Sequence, residues 1–86
     1  MPEIRLGNDT DRALAIWVEP WGEDYWMNPG ERFAIAADTP EGEDDKPFEV
    51  VLHDQGVSVW VSFAYEATVR DQSGARIECG HQRPAP

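Results

Sequence analysis

The sequence predicts an all-β fold: an antiparallel β-sandwich of about seven short strands, immunoglobulin-like in scale, with a small β-barrel as the alternative. Three observations predict it. Val57, Val59, Val61, Phe63, Tyr65, Ala67 and Val69 hold a period of two over thirteen residues, and a helix cannot place those side chains on one face. No stretch keeps the i, i+3, i+4, i+7 spacing long enough for a helix. Clusters of Gly, Pro, Asn and Asp punctuate the chain at short, regular intervals.

The elements follow in order. Ile4–Leu6 starts the first strand, and Gly7-Asn8-Asp9-Thr10-Asp11 is a turn cluster. Ala13–Glu19 is the second strand, with Leu14, Ile16 and Val18 on one face and Ala13, Ala15 and Trp17 on the other. Apolar residues on both faces mark a strand covered on both sides. Pro20 ends it, because proline cannot donate to a central ladder. Trp21–Met27 reads as a loop with a short edge strand near Tyr25–Met27. In Asn28-Pro29-Gly30-Glu31 the proline and glycine hold the two central positions of a type II turn. Arg32–Ala37 is a strand with Phe33 and Ile35 inward.

Asp38–Pro47 is the longest irregular stretch, with five acidic residues and two prolines, and reads as a mobile surface loop. Phe48–His53 is a strand with Phe48, Val50 and Leu52 inward. Asp54-Gln55-Gly56 forms a three-residue hairpin loop with glycine in the left-handed region. The alternating run that follows would extend roughly 43 Å at about 3.3 Å per residue. That exceeds the width of so small a domain, so a bend or turn near Ser62–Ala64 splits it into two strands. Gln72-Ser73-Gly74 is another turn, and Ala75–Cys79 a last strand with Ile77 and Cys79 on one face. The tail Gly80–Pro86 is expected to be loose.

At 86 residues the chain makes one domain, residues 1–86. With 41% hydrophobic residues it can fill one core. The single cysteine, Cys79, cannot form an internal disulfide and suits a reducing compartment. Met-Pro-Glu-Ile-Arg-Leu has no signal-peptide character, and no apolar run approaches the length of a membrane span. A cytoplasmic location is the expectation. Seven basic against seventeen acidic residues give a net charge of -10. That charge repels phosphate backbones and anionic lipid, so neither nucleic acid nor membrane is an expected partner. Positive partner surfaces, or plain solubility, fit it better.

The aromatic group is the most unusual feature: Trp17, Trp21, Tyr25, Trp26 and Trp60. By pleat parity Trp60 points away from Val59 and Val61, and Trp17 away from Ile16 and Val18. Tryptophans on the second face of a sheet call for a cover. The Trp21–Met27 segment folding back, a second protein surface, or a stacked sugar ring would each serve. The acidic residues Asp38, Glu41, Glu43, Asp44 and Asp45 carry oxygen ligands of the kind calcium takes, without the spacing of an EF-hand. A solvated loop is the simpler reading. His53 and Asp54 are strand neighbours that point to opposite faces, so they are no base–orienter pair. No phosphate loop and no HExxH occur. The chain is therefore read as no enzyme, with no cofactor.

Two resemblances add to this. Asn8 and Thr10 in the first turn, Pro29-Gly30-Glu31 before Phe33, and the late Cys79–His81 pair resemble a cupredoxin. That likeness implies a small copper-binding protein; by donor chemistry alone His53, Cys79, His81 and Met27 offer the sulfur and imidazole that copper or zinc prefers. It departs from the family pattern in its one-residue Cys–His gap and in having no methionine after His81. Asn8-Asp9-Thr10-Asp11-Arg12, Trp17-Val18-Glu19-Pro20-Trp21-Gly22 and Pro29-Gly30-Glu31 resemble small uncharacterised actinobacterial β-domain proteins. This second likeness covers about the first third of the chain. It implies a bacterial, stand-alone β-domain and no particular activity.

The resulting expectation is a non-enzymatic, acidic interaction module. Its contact patch is Trp17, Trp21, Tyr25, Trp26 and Trp60, with Glu19, Glu23 and Asp24 as polar rim. Its partner is another protein or a second copy, since an open sandwich leaves unpaired strands. A carbohydrate or other flat ligand, and the metal-binding reading, are the alternatives.

Overall fold

The computed structural model describes residues 1–39, 46–62 and 65–86. Seven strands follow one another: β1 (Glu3–Gly7), β2 (Leu14–Glu19), β3 (Glu23–Met27), β4 (Arg32–Asp38), β5 (Phe48–His53), β6 (Gly56–Val61) and β7 (Glu66–Asp71). They form a three-stranded sheet, β1-β4-β7, and a four-stranded sheet, β3-β2-β6-β5. The two do not close into a barrel. The all-β sandwich predicted from periodicity is the fold. Among the described residues no helix is long and apolar enough to cross a membrane.

The core lies between the sheets. Ile16, Val18, Val59, Val61, Tyr25 and Met27 face inward from the four-stranded sheet, and Phe33, Ile35 and Val69 from the other. The long alternating stripe is divided as its length required. Val57, Val59 and Val61 belong to β6, while Ala67 and Val69 belong to β7 in the opposite sheet. Tyr65 N donates to Ser62 O at 2.9 Å where the chain changes sheets. The same parity therefore serves one core from both sides. Phe63 and Ala64 of the expected break lie outside the described residues, as does residue range 40–45 of the acidic loop.

Four expectations need correction. The sandwich is not wholly antiparallel, because β2 and β6 run parallel. The chain leaves the sheet for β4 after β3 and returns at β5, so β6 comes back in the direction of β2. Parallel pairing brings Gly56 against Ala15, and a Cβ on Gly56 would meet Ala15 O at 2.2 Å. Second, Ala75–Cys79 is not a strand. It makes a single bridge, Arg70↔Arg76, and then turns Ile77 into the core. Third, the tail is docked as far as Arg83. Gly80 N donates to Asp24 O, and Trp26 N donates to His81 O at 2.9 Å. The Gln82 side chain bonds Trp26 O and Glu31. Residues Ile77–Arg83 thus seal the side of the sandwich between β7 and β3. Fourth, Val50 and Leu52 face inward by register but stay 41% and 81% exposed, on the outermost strand of the larger sheet. An apolar groove of about 320 Å³ opens there, lined by Leu6, Leu14, Val50, Leu52 and Val57 among others.

One buried polar side chain ties the turns together. Asn8, 1% exposed, donates through Nδ2 to Arg12 O and Met27 O, each at 2.8 Å. Its Oδ1 accepts from Thr10 N and Thr10 Oγ1. Every polar atom of the amide is satisfied, as burial demands. This locks the β1–β2 connection onto the end of β3.

Candidate functional site

The outer face of the four-stranded sheet carries side chains in three cross-strand rows. The ladder register places Trp26, Ala15, Gly56 and His53 in the first, and Asp24, Trp17, Ser58 and Val51 in the second. The third holds Glu19, Trp60 and Glu49. Trp17, Trp26 and Trp60 thus share one face, as pleat parity predicts.

Within the first two rows the aromatics hold one another. The Trp17 ring meets Trp26 edge-on at 6.4 Å between centroids and His53 at 5.4 Å, tilted by 39°. Ala15 points to this outer face yet is 0% exposed, so the rings close over it. Such pairs add about 0.5–1.5 kcal/mol beyond area burial. The cover over Trp17 therefore comes in part from the Trp21–Met27 segment, which folds back as strand β3 beside β2 and supplies Trp26.

Asp24 fixes Trp26. The indole Nε1 donates to Asp24 Oδ2 at 2.9 Å, and Arg83 Nε donates to the same oxygen at 2.7 Å. Arg83 Nη2 engages the other oxygen, completing a bidentate pair. The Asp24 side chain is only 13% exposed. The Arg83 hydrogen bonds hold its carboxyl well below the usual range, against the opposing effect of burial. Asp24 is thus a structural anchor for the tail, with its charge already matched.

His53 sits between Trp17 and Ser58. Its Nε2 lies 3.0 Å from Ser58 Oγ, and Gln55 N donates to Nδ1 at 3.3 Å.

The third row is different. Trp60 stands on β6, an inner strand, and is 43% exposed. Val51, one row away, is 40% exposed. Glu19 and Glu49 flank Trp60 directly on the two neighbouring strands. The ion pairs among the described residues are Arg32–Asp9, Arg76–Glu78 and Arg83–Asp24, so neither glutamate is matched by a cation there.

The remaining residues of the predicted patch lie elsewhere. Tyr25 shares parity with Met27 and turns into the core at 6% exposure. Its phenol is pushed up to about 12, chiefly by burial and then by the Glu23 carboxylate. Glu23 follows the same parity. Trp21, 42% exposed, lies in the β2–β3 turn beside Glu23, Glu66 and Arg76, away from the tryptophan rows. The residues missed by sequence reasoning are Glu49, Val51, His53 and Ser58. The inward assignment of Phe48, Val50 and Leu52 already contained the signal, since it turns Glu49, Val51 and His53 outward.

The metal-ligand set does not assemble. Met27 is in the core, His53 on the outer sheet face, and Cys79 and His81 on the docked segment, where His81 packs edge-on against Phe33 at 5.8 Å. Among the described residues no three His, Cys, Asp or Glu side chains group as a metal needs. The outer face of the three-stranded sheet carries both signs: Arg5 and Arg70 flank Ala34 in one row, while Glu3, Asp38 and Glu66 share the same face. The chain matches no protein-family model, no curated protein and no solved structure.

Proposed function

We propose that this chain is a non-enzymatic, cytoplasmic interaction module that binds a protein partner through the outer face of its four-stranded sheet. One observation carries the reading: Trp60, on an inner strand, is left 43% exposed beside the ordered Trp17–Trp26 pair. A free-standing sheet face gains nothing by showing an indole to water. A partner that covers Trp60 and Val51 removes apolar area at about 25 cal/mol per Å². An aromatic centre with charged margins is also the usual division of a contact surface. The pre-ordered Trp17, Trp26 and His53 rings lower the entropy lost on docking.

The test compares wild type with Trp60→Ala as bait in extract of the source cells, followed by reconstitution with the purified captured protein. Binding by wild type and its loss in a folded Trp60→Ala supports the reading, and equal binding by both overturns it. A panel of sugars measured by indole fluorescence separates this reading from carbohydrate binding, which predicts a saturable change.

A further inference from the structure

We infer that the Glu19–Trp60–Glu49 row is a receptor for a cationic side chain, with the guanidinium of a partner arginine as its occupant. The inference rests on the interaction reading and names the chemistry of its partner. Three facts of this row lead to it. The register sets the two glutamates immediately on either side of the indole. Neighbouring strands lie about 4.8 Å apart, so both glutamates are within side-chain reach of the indole, Glu19 by swinging from the Gly22 side where its Oε1 rests. Neither carboxylate has a basic partner among the described residues, in contrast to Asp24 one row away.

A cation within about 6 Å of an indole centroid is attracted by the ring quadrupole. Arginine suits this row better than lysine. Its planar guanidinium stacks on an aromatic face and still has five donors in a rigid fork. One group can lie against Trp60 and bond Glu19 on one side and Glu49 on the other. Trp17 and Val51 in the adjoining row would accept the apolar stem or neighbouring residues of the same strand. The net charge of -10 adds long-range attraction for a basic partner.

The experiment is an NMR titration of the full chain, reading the Trp60 indole and the amides of Glu19, Glu49 and Ser58. The probe is an extended, otherwise uncharged peptide with one central arginine, beside the same peptide with citrulline or lysine. Citrulline keeps the shape and removes the charge. The expected result is shifts confined to this row, and affinity at least about five-fold weaker for citrulline, the equivalent of about 1 kcal/mol. Lysine falls between the two, and affinity drops with added salt. Glu19→Gln with Glu49→Gln keeps the shape of both side chains and abolishes the preference for arginine over citrulline.

Equal binding of citrulline, shifts centred elsewhere, or no response at millimolar peptide overturns the inference. A dimer that buries Trp60 and persists against the peptide overturns it too. Failure here is distinguishable from failure of the broader reading. A captured partner lost in Trp60→Ala but unaffected by the double glutamine change keeps the interaction surface and removes the arginine.

Discussion

Trp60→Ala distinguishes a contact residue from a core residue, and the structure fixes the size of its effect. An enclosed tryptophan hides about 150–250 Å², and Trp60, at 43% exposure, hides little more than half of its surface. At about 25 cal/mol per Å², less the area already hidden in a compact unfolded chain, the loss is about 2 kcal/mol. A domain of this length has about 4–13 kcal/mol in all, so the variant remains folded, with its Tm lowered by roughly 8–16 °C. Phe33→Ala, at 1% exposure in the centre of the core, should cost about 3–5 kcal/mol. Urea unfolding of the two variants beside wild type measures this, with an unchanged m-value for Trp60→Ala. If Trp60→Ala loses as much as Phe33→Ala, or unfolds outright, Trp60 is part of the scaffold and the proposed contact face has no basis.

Four further outcomes follow from the geometry. Asn8→Leu strands the carbonyls of Arg12 and Met27 without their donor and should cost about 2–4 kcal/mol in a denaturation curve. Gly56→Ala drives a Cβ into Ala15 O and should weaken the β2–β6 ladder, read as faster amide exchange along β6. The Asp24 carboxyl is held below its ordinary value by Arg83, so the charged form stabilises the folded state at neutral pH. That contribution is lost as pH falls below about 3.8 and on through the depressed folded value. The Trp26 indole proton should report tail release in acid, and Asp24→Asn should already be released at pH 7. Tyr25, raised from 10.0 to about 12, keeps its full contribution below the unfolded value. It loses that contribution as pH rises through the folded one, so tyrosinate absorbance and unfolding should rise together in base.

Parts of the surface could be read directly from the chain. Trp60 had to face away from Val59 and Val61 once the period of two was seen. The hairpin then places β5 beside β6, with Glu49, Val51 and His53 on the side of Trp60, although its turn is the two residues Asp54-Gln55 and Gly56 already pairs with His53 in β6 rather than closing a three-residue loop. Tyr25 reads as part of the patch because tyrosine and tryptophan serve both interiors and surfaces; only its shared parity with Met27 hints at the core. Neither the docking of Arg83 on Asp24 nor the filling of the core by Ile77 follows from local pattern, because the partners are far apart in sequence.

The same distinction holds for the site as a whole. Alternation, turn residues and the length of the Val57–Val69 run settle by themselves that this is an all-β fold with Trp60 outward, since side-chain direction along a strand is a local property of the pleat, while sandwich over barrel was decided by the tertiary structure. Which strands become neighbours is a global property, set by the cooperative packing of both sheets. The tertiary structure alone decided that β6 returns parallel to β2, and only that pairing brings Glu19 beside Trp60, opposite Glu49.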